Sequence, residues 1–109
     1  VPEAVALYGE AIGRVEGIDA IAGACRAALE KLDSSHHVLS NEEIEIDGDS
    51  AKARSYVHAQ HTKAGLPGGD NFTIGGVYID VIVRTPDGWR IRERELKMLW
   101  QEGNPAVLG

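Results

Sequence analysis

One cysteine, Cys25, is the only thiol in the sequence. No internal disulfide can therefore form, and the composition fits a reducing, cytoplasmic compartment. Positive charge is also short. Eleven Lys and Arg stand against 17 Asp and Glu, for a net charge of −6 and a pI of about 5.1. An acidic surface repels phosphate backbones and anionic headgroups, which argues against nucleic-acid and membrane partners. No stretch approaches the roughly 18 apolar residues of a membrane span, and no charged-then-apolar leader is visible at Val1. Internal repeats and low-complexity tracts are missing too. What is present is ordinary for one globular domain: 109 residues, 43% hydrophobic and 26% charged. A chain of that size can bury a core without staples.

The chain opens on a short apolar run, Val5–Tyr8, which reads as a strand. Gly9–Gly17 holds three glycines and reads as a loop. A helix follows, because Ile18, Ile21, Ala22, Cys25, Leu29 and Leu32 recur at spacings of three and four and share one face. Asp19 near its start and Lys31 near its end suit the helix dipole. Asp33-Ser34-Ser35 ends it. Four strand-like stretches come next: His36–Ile46, Ser50–Thr62, Asn71–Thr85 and Trp89–Trp100. Between them lie Asp47-Gly48-Asp49, a loop over Ala64–Asp70, and Pro86-Asp87-Gly88, all with hairpin chemistry. Gln101–Gly109 is a tail. Successive hairpins predict an antiparallel meander, and the lack of returning helices excludes a doubly wound parallel sheet. Strands of 11 to 15 residues are long, so bulges and glycines must bend them, with Gly75-Gly76 the expected bend. The fold class expected is α+β, a curved antiparallel sheet of four to five strands with one helix on its concave side.

Alternation along Ser50–Thr62 puts Ala51, Ala53, Ser55, Val57, Ala59 and His61 on one small, inward face. His37 and Leu39 share a face, whereas Ile44 and Ile46 have the opposite parity, so a bulge near Asn41 is needed to turn all four inward. The strand Asn71–Thr85 carries an apolar stripe, Val77, Ile79, Val81 and Val83, which reads as core. The opposite stripe, Phe72, Ile74, Tyr78, Asp80 and Ile82, is mixed. A sheet apolar on both sides implies a second covered face such as a dimer interface. On the last strand Arg94, Leu96, Met98 and Trp100 are expected together, opposite Trp89 and Ile91. Asp80 and Arg94 can then pair across one cavity.

Three motif groups are familiar as a set. They are His36-His37-Val38-Leu39-Ser40-Asn41 with Ile44-Glu45-Ile46-Asp47-Gly48-Asp49; Ala53-Arg54-Ser55-Tyr56-Val57 leading to His61; and Gly75-Gly76-Val77-Tyr78-Ile79-Asp80 with Arg84-Thr85-Pro86-Asp87-Gly88-Trp89-Arg90-Ile91. In order, from about residue 5 to residue 105, the chain resembles the SnoaL-like branch of the nuclear transport factor 2-like superfamily. The resemblance implies a cystatin-like cone around a cavity. Its members include dehydratase-like lyases acting on scytalone or bile acids, ketosteroid isomerases, polyketide cyclases and non-catalytic binding modules. Such domains usually open with two helices bearing a tyrosine and an aspartate of the active site, so the expectation is a single SnoaL-like domain over 1–109 that is N-terminally truncated. In dehydratase-like members a histidine lies on the strand after the helix, which His37 matches better than His36. A second pocket histidine resembles His61, and an arginine on the last strand resembles Arg94.

These residues suggest a chemistry. An eliminating lyase needs a base beside a carbonyl, a donor for the developing enolate and an acid for the departing hydroxyl. Histidine near its ordinary pKa serves as base or acid. The expected catalytic residues are His37, as acid–base, and His61. Tyr78, Asp80, Arg94 and Asn41 are the expected substrate-binding set, with no cofactor. Non-catalytic ligand binding, subunit assembly and isomerase chemistry are the alternatives. The expected partners are a small-molecule substrate and a second copy of the chain, meeting through the convex sheet face. Metal binding by His58 and His61, or by His36 and His37, fails on parity, since such pairs face opposite sides of a strand. Cys25 reads as packing. Gly65–Gly69 joins strands and lacks the lysine and helix of a phosphate loop. Lys52 and Arg54 read as a solvated face.

Overall fold

The computed structural model describes residues 1–109, the side chains of Glu10 and Ala11 excepted. Its elements are β1 (Val5–Leu7), α1 (Gly9–Ile12), β2 (Arg14–Glu16), α2 (Ile18–Leu29), β3 (Ser34–Asp47), β4 (Ser50–Thr62), β5 (Asn71–Thr85), β6 (Gly88–Gly103) and a closing 3-10 turn, Pro105–Leu108. The sheet has six strands in the order β2-β1-β6-β5-β4-β3. It is an antiparallel meander from β3 to β6, as the hairpin turns require.

Two features correct the expected sheet. It has six strands, and it is mixed, because β1 runs parallel to β6. The stretch Gly9–Gly17 is not a plain loop: it holds α1 and then β2, which pairs back on β1. Helix α2 ends at Leu29, short of Leu32. It packs against β1 and β2 at one end of the sheet, and Cys25 on it is exposed rather than buried.

Side-chain parity sets the two faces. On β4, Ala51, Ser55, Val57, Ala59 and His61 are buried, whereas Lys52, Arg54, Tyr56, His58 and Gln60 are exposed. Across the ladders the buried set aligns with Ser35, His37, Leu39, Ile44 and Ile46 of β3 and with Phe72, Ile74, Gly76, Tyr78, Asp80 and Ile82 of β5. This is the inner face. Small residues in its centre keep the sheet surface low. The valine-rich stripe expected to be core therefore lies on the outer face, and Val77 alone of it is buried.

Bulges decide where parity turns over. Between Ser40 and Glu43 the register shifts, and Asn41 takes φ 54, a left-handed conformation that Asn tolerates better than most residues. That bulge brings His37, Leu39, Ile44 and Ile46 to one face, as the sequence demanded. Two further bulges fall on β6. One sits opposite Gly75/Gly76, so Trp100 pairs with Gly75 while Met98 pairs with Gly76. Trp100 thus faces outward, opposite Met98, contrary to the expected grouping. At Gly75 a Cβ atom would collide with the Trp100 indole, so only glycine fits beneath that ring. The other bulge lies opposite Val81/Ile82, so Ile91 joins Arg94 on the inner face instead of opposing it.

Candidate functional site

The polar residues of the inner face gather at two places. The first is built by β3 and β4. His61 is 4% exposed, and its Nδ1 lies 3.1 Å from the carbonyl oxygen of Phe72. A carbonyl only accepts, so Nδ1 carries a proton and donates; in the tautomer this contact selects, Nε2 is the acceptor nitrogen. His37 sits one strand over, paired with Ala59. Its ring stands edge-on to His61, with centroids 5.6 Å apart and planes at 78°. Burial lowers the pKa of His37 below the ordinary histidine value, and the neighbouring His61 and His36 lower it further. The residue as a whole stays exposed, like the rest of β3, so the loss of hydration is partial, and a cation there would face other imidazoles. His37 is consequently neutral, and able to accept a proton, at neutral pH.

The second place is built by β5, β6 and the end of β1. Asp80 and Arg94 are directly cross-strand. Arg94 donates from Nε to Oδ1 at 2.8 Å and from Nη2 to Oδ2 at 2.9 Å, a two-pronged pair. The carboxylate side chain is 9% exposed and the guanidinium 29%. The Asp80 hydrogen bonds raise the pKa of Arg94 above the usual arginine value, against the opposing effect of burial. The guanidinium carbon also lies 4.1 Å from the centroid of the Tyr78 ring, a cation–π contact. Burial raises the pKa of the Tyr78 hydroxyl, an effect that Arg94 partly offsets.

Tyr8 completes this group. Its hydroxyl lies 3.8 Å from Cys25 Sγ. Burial first, then the Cys25 contact, push its pKa up to about 12, with Tyr78 and Arg94 close enough to act on it electrostatically. Both phenols are therefore protonated donors at neutral pH. The sequence reading missed Tyr8, which stood at the end of a short apolar run. Its signal was a polar aromatic immediately before Gly9, where a strand leaves the sheet.

Of the residues singled out beforehand, His37 and His61 are brought together, and Tyr78, Asp80 and Arg94 form one connected group. Asn41 is set apart, as the residue that turns the β3 bulge. His58 faces the other side of the sheet from His61, its ring 5.5 Å from that of Trp100. His37 lies in the row of Ala59 and Ile74, four residues from Tyr78 on β5. At about 3.3 Å per residue the two rows are about 13 Å apart. A proton acceptor and a group of proton donors thus share one face of the sheet. Among the described residues no His, Cys, Asp or Glu set is arranged to hold a metal ion, and no helix is long and apolar enough to cross a membrane.

Comparison with known proteins agrees with this geometry at the level of fold and family. A profile of the SnoaL-like domain matches residues 1–95. A curated relative, terrestric acid biosynthesis cluster protein E of Penicillium crustosum, is 34% identical over 101 residues, covering 87% of this chain. The chain spans 64% of that relative's length. Among solved structures, a Kribbella flavida protein superposes with a TM-score of 0.87 at 25% identity, over 99% of this chain and 76% of its own. A proposed scytalone dehydratase from Novosphingobium aromaticivorans gives 0.82 at 23% identity, over 95% and 68%. The shared architecture is the cystatin-like cone.

Proposed function

The chain belongs to the SnoaL-like domain family, and from that premise we propose that it is a dehydratase-like lyase that works without a cofactor. The observation that carries this reading is the His37–His61 pair on the inner face, with the pKa of His37 lowered by partial burial and its imidazole neighbours. His37 takes the proton from the carbon next to a substrate carbonyl. The electron pair moves onto the carbonyl oxygen, and the Tyr8 and Tyr78 hydroxyls donate to the enolate, with Arg94 beyond them. The enolate collapses and the bond to the β-hydroxyl breaks. The His37 imidazolium returns its proton to the departing oxygen, so water leaves and the ring is neutral again. His61, fixed through its Nδ1–H on the Phe72 carbonyl, offers Nε2 to orient the reacting ring.

The two groups stand about 13 Å apart along the sheet, so in the reacting complex their side chains must lean toward one another for base and donors to reach one carbonyl and its neighbouring carbon. The apolar flanks, Leu39, Ile74 and Met98, favour a largely apolar skeleton. The relative's place in a biosynthesis cluster supports a biosynthetic intermediate as the substrate class.

The test is a panel of hydroxylated aromatic, polyketide and steroid carbonyl compounds, scored by absorbance of the new conjugated double bond. His37→Ala is expected to lose roughly 10²–10⁴-fold in turnover. Unchanged turnover in that variant would overturn the assignment. Solvent deuterium entering the substrate without loss of water would indicate an isomerase instead.

A further inference from the structure

The histidine end of the inner face is bordered by separate stretches of backbone, and one side chain ties them together. β6 ends at Gly103, opposite Phe72. Gly103 takes φ 101, and a Cβ there would collide with the Asn71 carbonyl, so only glycine lets the chain turn off the sheet at that point. The next residue, Asn104, is engaged at every polar atom. Its backbone N–H donates to the Asn71 carbonyl at 2.8 Å, and its own carbonyl accepts from the Val107 N–H at 3.1 Å. Oδ1 accepts from the Ala106 N–H at 3.2 Å, capping the turn Pro105–Leu108. Nδ2 donates to the carbonyls of Pro67 and Gly69, at 3.0 and 2.9 Å. These partners fix which way round the amide lies.

The loop between β4 and β5 depends on that amide at its tip. Its arms are held by acidic side chains: the Ala64 N–H donates to Asp33 and the Gly65 N–H to Asp70. Pro67, Gly68 and Gly69 have no polar side chain of their own, so Asn104 is the side chain that fixes them. The turn Pro105–Leu108 meanwhile packs on β4 and β5 and leaves Val107 only 2% exposed. At that end the outward-facing Gln60 and Asn71 are exposed, whereas the inward-facing His61 and Phe72 are 4% and 5% exposed. The turn therefore lies over the inner face, beside His61. We propose that Asn104 is a positioning residue for the histidine pair: it binds the loop tip, the tail turn and the start of β5 into one rim, and that rim holds the Phe72 carbonyl where the His61 Nδ1–H reaches it. This rests on the role given to His61, that of orienting the reacting ring. When the rim loosens, the Phe72 carbonyl and the imidazole part, and the ring loses the contact that selects its tautomer.

The experiment is NMR of the imidazole nitrogens in the isotope-labelled chain at about pH 8, above the ordinary histidine range. In the wild type His61 is expected as a single tautomer with its proton on Nδ1. Asn104→Ala removes both the cap and the loop bonds. Asn104→Asp keeps an acceptor for Ala106 but sets a carboxylate against the carbonyls of Pro67 and Gly69, so it keeps the cap and breaks the loop bonds. Both variants are expected to turn the His61 signals into those of a tautomer mixture, and to lower kcat about tenfold with KM nearly unchanged. Thr85→Ala is the control. It removes the hydroxyl that donates to the Gly88 carbonyl and accepts from the Asp87 N–H at the far turn, so it lowers the urea midpoint and leaves the His61 tautomer as it was. A wild type with the proton on Nε2, an unchanged tautomer in a folded Asn104 variant, or the same mixture in Thr85→Ala would overturn the proposal, whatever turnover does. The tautomer is read without substrate, so it is judged apart from the dehydratase reading, which fails if no compound of the panel is turned over. Should Asn104→Ala not fold, Asn104→Asp decides.

Discussion

The two ends of the inner face use the same resource, ionisable side chains, for opposite purposes. At one end Asp80 and Arg94 neutralise each other through two short hydrogen bonds. The two-pronged contact fixes β5 against β6 and raises the pKa of Arg94 further above the usual arginine value. At the other end His37 has no ionic partner among the described residues. It has burial and two imidazole neighbours, all of which make a proton less welcome. A side chain held just off its ordinary proton affinity is suited to moving protons, and a locked ion pair is suited to holding shape.

That contrast breaks first at the ion pair. Arg94→Ala strands a carboxylate whose side chain is 9% exposed. The expected loss is about 3 kcal/mol of stability, at the low end for a broken buried pair, read as a lower urea midpoint. Asp80→Asn leaves a guanidinium that is 29% exposed and still stacked on Tyr78, so its loss should be smaller. Equal losses would mean that water reaches both groups equally. Next in size is Tyr8→Phe. It removes one donor from the inner face without opening a cavity, so turnover should fall roughly 10- to 100-fold, about 1.4–2.7 kcal/mol in the barrier, while the urea midpoint barely moves. A fall in stability with turnover intact would make Tyr8 a structural residue.

The histidine end responds to pH. The pKa of His37 in the fold is below its unfolded value of about 6.5. Between the two values the unfolded chain binds more protons, so stability there rises with pH. The penalty is absent above about pH 6.5 and accumulates as pH falls below it. In the same way, the acid limb of kcat/KM should lie below pH 6.5. His61→Asn removes one of the neighbours that lower the pKa, but not the burial that is the main cause. The limb should therefore move toward 6.5 without reaching it. A limb that does not move would show that His61 has no influence on the proton of His37.

How much of this could be read from the sequence follows from the range of each interaction. The limits of β4 and β5 were legible to the residue, because hairpin turns and alternation are local. So were the inward stripe of β4 and the pairing of Asp80 with Arg94. The bulges at Arg92 and Leu99 on β6 were not, so Ile91 and Trp100 were placed on the wrong faces. One unannounced extra residue inverts everything beyond it. The β1–β2 hairpin and the parallel pairing of β1 with β6 escaped because three-residue strands carry almost no period. Tyr8 escaped with them, since its neighbours in space, Cys25, Tyr78 and Arg94, are far along the chain. The outer position of the valine stripe was not readable from β5 alone. It needed the register with β4, whose alanines and serine mark the inner side.

The smallest expected effect tests what joins the two ends. Asn41 turns the β3 bulge at φ 54, and without that bulge His37 and Ile46 could not share a face. Asn accepts the left-handed region through local hydrogen bonding by its side chain, whereas alanine pays the steric cost of its Cβ. Asn41→Ala should cost roughly 1 kcal/mol or less. The bulge itself should persist, because the pairs from Ser34↔Thr62 to Ser40↔Tyr56 on one side and from Glu43↔Arg54 to Asp47↔Ser50 on the other hold the register. The reporter is the proximity of the two rings, seen as a nuclear Overhauser contact between the imidazole protons of His37 and His61. If that contact and turnover vanish together in a folded Asn41→Ala, the bulge depends on this one residue. If they survive with the small loss of stability, cross-strand packing places His37.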